Sequence, residues 1–204
     1  MSGVHSGLFS EMAQLPEKLS EPEVLFAEIA PRLRQGQVIA YPTEAVWGLG
    51  CDPSNEQAVH RILAMKSRPV AKGMILVSGS LEHFAPWLDA LPQDSRERVL
   101  ASWPGPYTWL LPDPVGVPRW VKGEHDQVAL RCSAHPVVRA LCEAFGGPII
   151  STSANPSSQP PARTEAQVRR YFGKALDAIV SGELGGLAQP TPIRDALTGA
   201  ILRA

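Results

Sequence analysis

Several absences narrow this chain before any motif is weighed. It has no G-x-x-x-x-G-K-[ST] loop, no G-x-G-x-x-G opening a helical run, no H-E-x-x-H and no G-x-S-x-G. That removes the glycine-cradle nucleotide sites, the zinc peptidase pair and the hydrolase nucleophile elbow. Phosphate, if bound, must be held by side chains and irregular loops. Cysteine is scarce: Cys51, Cys132 and Cys142 are an odd number without C-x-x-C spacing, so they are expected to be reduced, mostly buried thiols. No apolar run approaches the roughly 18 residues of a membrane-spanning helix. The first residues, MSGVHSGLFSEMAQLPEKL, lack a basic stretch followed by an apolar one, so no secretory signal is read there and a cytoplasmic location is expected. A charge surplus is missing too. The net charge of −1 argues against a uniformly basic coat for nucleic acid and leaves a local basic patch open.

What is present suits one α/β domain. At 204 residues the chain can bury a substantial core without disulfides or metals. Its 20 prolines and 17 glycines fall between short apolar runs, more punctuation than a helical bundle tolerates. Residues 1–19 show no periodicity and are expected to be a loose extension, with the folded domain over 20–204. Ser20 with Glu23 reads as a capping box before Leu25, Ile29 and Leu33, and Pro31 predicts a kink or break near Ala30. Strands are predicted at QVIAY (37–41), VWGLG (46–50), MILV (74–77), YTWLL (107–111), VALRC (128–132), PIIST (148–152) and LDAIV (176–180), with a closing pair of short strands in TPIRDALTGAIL. Helices are predicted after a Ser54–Gln57 capping box as far as Lys66, around Leu81–Leu88 and Ser95–Trp103, over 135–145, and from a Thr164 cap to Phe172. Helices separate most strands, which predicts a twisted open sheet of mixed direction with helices packed on it.

Four stretches hold candidate chemistry. In KSRPVAKG (66–73) a helix ends and Lys66, Arg68 and Lys72 come close together around Pro69. Cations that merely complement a helix C-terminus explain an isolated K-x-R, but the stiff backbone suits a site that aims charge at phosphates. YPTEAVWGLG (41–50) sets Thr43 and Glu44 after a strand, as a plain turn or as contacts to a small polar substrate. Gly48 and Gly50 mark either a bulge or a close ligand approach. Arg131 lies inside an apolar run, where it must meet a protein carboxylate or an anionic ligand. PIISTSANPSSQPP (148–161) leaves a strand and presents Ser151, Thr152, Ser153 and Asn155 among prolines, either an ordinary loop or a polar ligand site at a strand end. Thr108 follows the rigid WPGP turn, and Arg194 beside Asp195 suggests a structural ion pair. The histidines share no spacing with a nucleophile, and no role is assigned to them.

Taken in order, VIAYPTEAVWGLGCDP, KSRPVAKGMILV, WPGPYTWLLP, VALRCSAHPVVRALC, PIISTSANPSSQPPARTEAQV and IRDALTGAILR resemble the YrdC-like threonylcarbamoyl-AMP synthases in their short single-domain bacterial form, also called TsaC. The resemblance implies the YrdC-like fold, a twisted open α/β sheet with a cationic concave face. It implies a nucleotidyltransferase that makes L-threonylcarbamoyladenylate and pyrophosphate from L-threonine, bicarbonate and ATP. The product would feed N6-threonylcarbamoyladenosine at position 37 of tRNAs, with the transfer done by partner proteins. By the same resemblance Lys66 and Arg68 would be catalytic, and with Lys72 would hold the triphosphate, assisted by Mg²⁺. Ser151, Ser153, Asn155 and Thr108 would contact phosphate and nucleotide, Arg194 would close the site, and Arg131 and Thr43 would take threonine and bicarbonate. One departure matters: many members have Ser-Thr or Ser-Glu before the last Ile-Arg segment, whereas this chain has Thr191 and Pro192, so a hydroxyl contact there must come from Thr191.

Two other readings compete. A cationic concavity could hold double-stranded RNA or tRNA through phosphates, which the net charge disfavours. A paralogue of the same fold, YciO-like, could bind a nucleotide without making an adenylate, which PTEAVWGLG together with KSRP disfavours.

Overall fold

The computed structural model describes residues 21–203, so the expected extension over 1–19 and the Ser20 cap lie outside the described residues. The chain runs α1 (Glu21–Arg34), β1 (Ile39–Pro42), β2 (Trp47–Gly50), α2 (Glu56–Lys66), β3 (Ile75–Ser78), α3 (Ala85–Asp89), α4 (Gln93–Leu100), β4 (Thr108–Pro112), α5 (Arg119–Lys122), β5 (Gln127–Cys132), α6 (Pro136–Phe145), β6 (Ile149–Ser153), α7 (Glu165–Phe172), β7 (Ala178–Ile179), β8 (Ile193–Asp195) and β9 (Ile201–Arg203). Among the described residues the strands form one nine-stranded sheet in the order β7-β1-β2-β6-β3-β5-β4-β8-β9. Parallel pairs β1–β7, β3–β5 and β4–β8 are interspersed among five antiparallel ones, so the sheet is mixed and open, as the sequence predicts.

The alternation of side chains along each strand divides the molecule. Val38, Ala40, Leu49, Leu76, Leu130 and Ile150 point to a large apolar cluster that includes residues of α2, α3, α4, α5 and α7. Ile39, Tyr41, Val77 and Ile149 point the other way, into a smaller cluster with α1 and α6. Those two helices cover only part of their face. On the remainder, Ile75, Leu110, Ala129, Arg131, Ser151, Ser153 and Ile193 line an open cleft.

The structure corrects several local expectations. Helix α1 runs through Pro31 without a break, because the ring sits exposed in the last turn and the chain then closes with Gln35 N to Pro31 O at 3.1 Å. The cap of α2 is Asn55, whose side chain accepts from Ala58 N, while Ser54 bonds to Asp52. The stretch at Leu81–Leu88 is a 3₁₀ turn followed by α3, with Pro86 in the first turn of the helix. Helix α4 ends at Leu100, short of Trp103, and the four-residue α5 was not anticipated. The Thr164 cap is present, its hydroxyl accepting from Gln167 N at 3.2 Å. All three cysteines are free and buried, and burial holds the Cys132 thiol up at about 11 and Cys142 at about 12, so neither is a thiolate at neutral pH.

Candidate functional site

The cleft has a volume of about 600 Å³. Its basic lining residues are Arg68, Lys72, Lys122, Arg131, Arg203 and His125, and no carboxylate lies among the lining residues. A concave, partly apolar surface carrying one sign of charge concentrates field on an anionic ligand.

Arg131 forms the floor at the inner end and is only 5% exposed. Its Nη1 donates to Thr191 Oγ1 at 3.0 Å and its Nη2 reaches Ser151 Oγ at 3.4 Å. Glu44 is its carboxylate neighbour, but the closest approach is 3.7 Å, too long for a hydrogen bond. Glu44 instead accepts from Ser133 Oγ at 2.6 Å through its other oxygen. Arg131 Nε and Glu44 Oε2 both lack a hydrogen-bond partner. The guanidinium is therefore held in place by hydroxyls and a nearby charge, with donor capacity left for a ligand. The hydroxyl sought at the departure before Ile193 is supplied by Thr191. Thr43 also lines this end, and its hydroxyl donates to Val46 O at 2.7 Å. Its proton is thus committed to the turn.

Toward the opening, the cations are more exposed. Arg68 folds back on its own loop, donating from Nη2 to Gly73 O at 2.8 Å. Burial, and then the nearby Arg203 charge, pull its guanidinium below the ordinary arginine value. Arg203 is lowered likewise, by burial and then by Arg131, and it donates to Thr191 O at 3.0 Å. Such crowding of like charge favours an anion between the side chains. Lys122 is paired with the buried Asp113 at 2.8 Å. Lys72 makes no side-chain hydrogen bond among the described residues.

Of the ten side chains given a site role from the resemblance, Thr43, Arg68, Lys72, Arg131, Ser151 and Ser153 meet in this cleft. The other four do not line it. Lys66 is 4% exposed and donates to Ser153 O, and to Asn155 O at 2.8 Å. Burial, with a smaller contribution from Arg68, brings its ammonium down to about 8. Ser157 laces the same junction from the other side, its hydroxyl donating to Lys66 O at 2.7 Å. Lys66 thus clamps the loop after β6 to the end of α2. Asn155 spends its amide on that loop, donating to Gln159 O at 2.7 Å. Thr108 is wholly buried, its Oγ1 without a partner.

Arg194 lies on the opposite sheet face, 5.0 Å over the Tyr107 ring and 5.9 Å over that of Trp109. It does not pair with Asp195, which caps the following turn through Leu197 N and Thr198 N. Arg203 takes the cleft position instead, because β8 and β9 pair Ile193 with Arg203 and Arg194 with Ile201. Sequence reasoning missed Arg203, Lys122, His125 and Gln127.

Comparison with known proteins gives the family and the fold. The Sua5/YciO/YrdC family model, described as "Telomere recombination", matches residues 32–204. A protein of Halorhodospira halophila named threonylcarbamoyl-AMP synthase is 58% identical over 174 residues, covering 85% of this chain and 91% of that protein. The crystal structure of P. abyssi Sua5 complexed with L-threonine superimposes with a TM-score of 0.79 at 31% identity. That match covers 88% of this chain and 52% of the other, so the chain spans about half the length of that Sua5. E. coli YciO superimposes with a TM-score of 0.77 at 26% identity, covering 89% of each chain. The chain belongs to the Sua5/YciO/YrdC family.

Proposed function

We propose that this protein is a threonylcarbamoyl-AMP synthase, joining L-threonine, bicarbonate and ATP into L-threonylcarbamoyladenylate with release of pyrophosphate. The observation that carries the reading is one cleft in which a buried, incompletely paired Arg131 faces a rim of Arg68, Lys72, Lys122 and Arg203 with no lining carboxylate. It is supported by the 58% identity to a protein of that name, against 26% to YciO. The adenylate is a substrate for enzymes that acylate the N6 amine of tRNA adenosine, which are the partners of this reading.

The chemistry requires two anions to meet. Threonine's amine attacks the carbon of bicarbonate, giving a carbamate as water leaves, and a carbamate oxygen then attacks the α-phosphorus as pyrophosphate leaves. The substrates supply both nucleophiles, so the protein's part is positioning and charge. Arg131 with Ser151 and Thr191 receives the amino-acid carboxylate, through the free edge of a fork already held flat. Arg68, Lys72 and Arg203 lie along the phosphates, with Ser153 at the turn between the two ends. Lys66 acts through the Ser153 loop that it clamps. Among the described residues no group of His, Cys, Asp or Glu could hold a metal ion. Mg²⁺ would therefore arrive with ATP, held by its phosphates.

The test is pyrophosphate release by the purified protein with threonine and bicarbonate each present or omitted. Release that requires both is expected. A folded protein that binds ATP and releases none in any combination would remove the reading and favour a nucleotide-binding paralogue.

A further inference from the structure

Sequence singles out the IRDALTG stretch, yet its arginine is not in the cleft. Arg194 lies over the Tyr107 ring on the far face of the sheet, and its Nε is buried without a partner. Among the described residues its guanidinium makes no hydrogen bond and no ion pair. An arginine held against a ring keeps its fork for an anion. The carboxylates nearby are already engaged. Asp195 accepts from Leu197 N, Thr198 N and Gln127 Nε2, and Glu97 accepts from Gln93 Nε2.

Around Arg194 lies an apolar surface at the edge of the sheet. Ile201, paired with Arg194 across β8 and β9, is 58% exposed, and Leu197 in the turn between those strands is 44% exposed. Arg98 ties α4 to that turn, donating to Ala196 O at 2.7 Å and to Leu197 O at 3.3 Å. β9 is the last strand of the sheet and all three of its residues are exposed, whereas β7, at the other end, is half-buried. Proteins blunt free edges with charge or cover, because an apolar edge invites association. β9 instead presents two aliphatic side chains, Ile201 and Leu202.

Composition and charge select the occupant. An arginine backed by an aromatic ring and flanked by aliphatics has the make-up of an interface hot spot. A second copy fits poorly, since a two-fold contact centred on β9 would set Arg194 and Arg98 against their own counterparts. A nucleic acid fits poorly too. Its phosphates gain nothing from Ile201 and Leu197, and the guanidinium already covers the Tyr107 ring on which a base would stack.

We propose that Arg98, Tyr107, Arg194, Leu197 and Ile201 form a docking surface for an acidic and apolar segment of another protein. A carboxylate of that segment takes the fork of Arg194, and its flanking aliphatic side chains cover Ile201 and Leu197. The proposal goes beyond the synthase reading and does not depend on it. Leu202 and Arg203 of the same strand line the cleft, so the docked protein stands beside the outer end of the cleft.

The probes are the capped peptide Leu-Asp-Leu-Glu-Leu and its uncharged counterpart Leu-Asn-Leu-Gln-Leu, titrated into the full chain and followed by backbone amide NMR shifts. The acidic peptide is expected to shift Tyr107 and residues 194–201 and to bind at least about fivefold more tightly than its counterpart. Arg194→Glu should weaken it about tenfold or more, and Ile201→Asp several-fold, with melting temperatures retained. Should either variant fail to fold, Leu197→Asp on the exposed turn replaces it, with a several-fold loss expected. Shifts confined to the cleft around Arg68 and Arg131 would show only a polyanion in the cleft and overturn the proposal. Equal binding of the two peptides, or binding of neither, would overturn it as well. A short RNA duplex that shifts the same residues and is lost in Arg194→Glu would give the surface to nucleic acid instead. Concentration-dependent sedimentation abolished by Ile201→Asp would give it to a second copy, and either result contradicts the proposal.

Discussion

The two ends of the cleft hold their cations differently. At the inner end Arg131 is buried, bonded to Thr191 and close to Ser151, with Glu44 at 3.7 Å. At the outer end Arg68 is half-buried and Arg203 exposed, both bonded only to main-chain carbonyls, and Lys72 projects from a 3₁₀ turn. A guanidinium sunk in the core has already met most of its desolvation cost at folding, and its geometry is set before a ligand arrives. Cations at a rim keep their hydration and adapt to a long polyanion as it binds. On the proposed function, the inner end would recognise one small group and the outer end would attract and align a triphosphate.

The largest effect should follow from breaking the inner end. Arg131→Ala leaves Glu44 buried beside no cation, so a stability loss of about 3 kcal/mol is expected by denaturant titration, together with a fall of about 100-fold or more in kcat/KM for threonine. Arg131→Lys keeps the charge but loses the fork, and should recover stability better than activity. At the rim, Arg68→Ala should lower kcat/KM for ATP by roughly 10- to 100-fold while the melting temperature stays nearly unchanged. If it instead melts early, the rim is structural and the contrast fails.

Lys66 gives an intermediate case. Its folded value of about 8 lies below the ordinary 10.5, so between these the unfolded chain holds the extra proton and stability rises with pH across that window. Below about 8 both states are protonated and the slope from Lys66 vanishes. Urea titrations from pH 7 to 10.5 should show this rise, and Lys66→Met should abolish it. Lys66→Met should also weaken ATP use, through the displaced Ser153 loop. The smallest effect is expected for Lys72→Ala: a rise of a few-fold in the KM for ATP that shrinks as salt is added, without a change in melting.

Much of the fold was legible because its strands are short apolar runs bounded by proline and glycine, and the K-x-R, Arg131 and Ser-Thr-Ser stretches are marked by polarity at strand and helix ends. What was hidden depends on pairing across the chain. Whether Arg194 or Arg203 faces the cleft is decided by the β4–β8–β9 register, since one step along a strand reverses the face. Lys66 reads as a phosphate ligand until the β6 loop is seen to sit against it, 87 residues away in sequence. Lys122 and His125 come from a four-residue helix and the turn after it, too short for any period to show. Asn55 displaced Ser54 as a cap because Asp52 claims the serine hydroxyl, a local competition between two good capping residues.

The most direct measurement of the two-ended cleft is equilibrium binding of L-threonine and of ATP to the double variant Arg68→Ala/Lys72→Ala. Threonine affinity within about twofold of the wild type, with ATP weakened at least about tenfold, is the expected result. Equal weakening of both ligands, or of threonine alone, would contradict it.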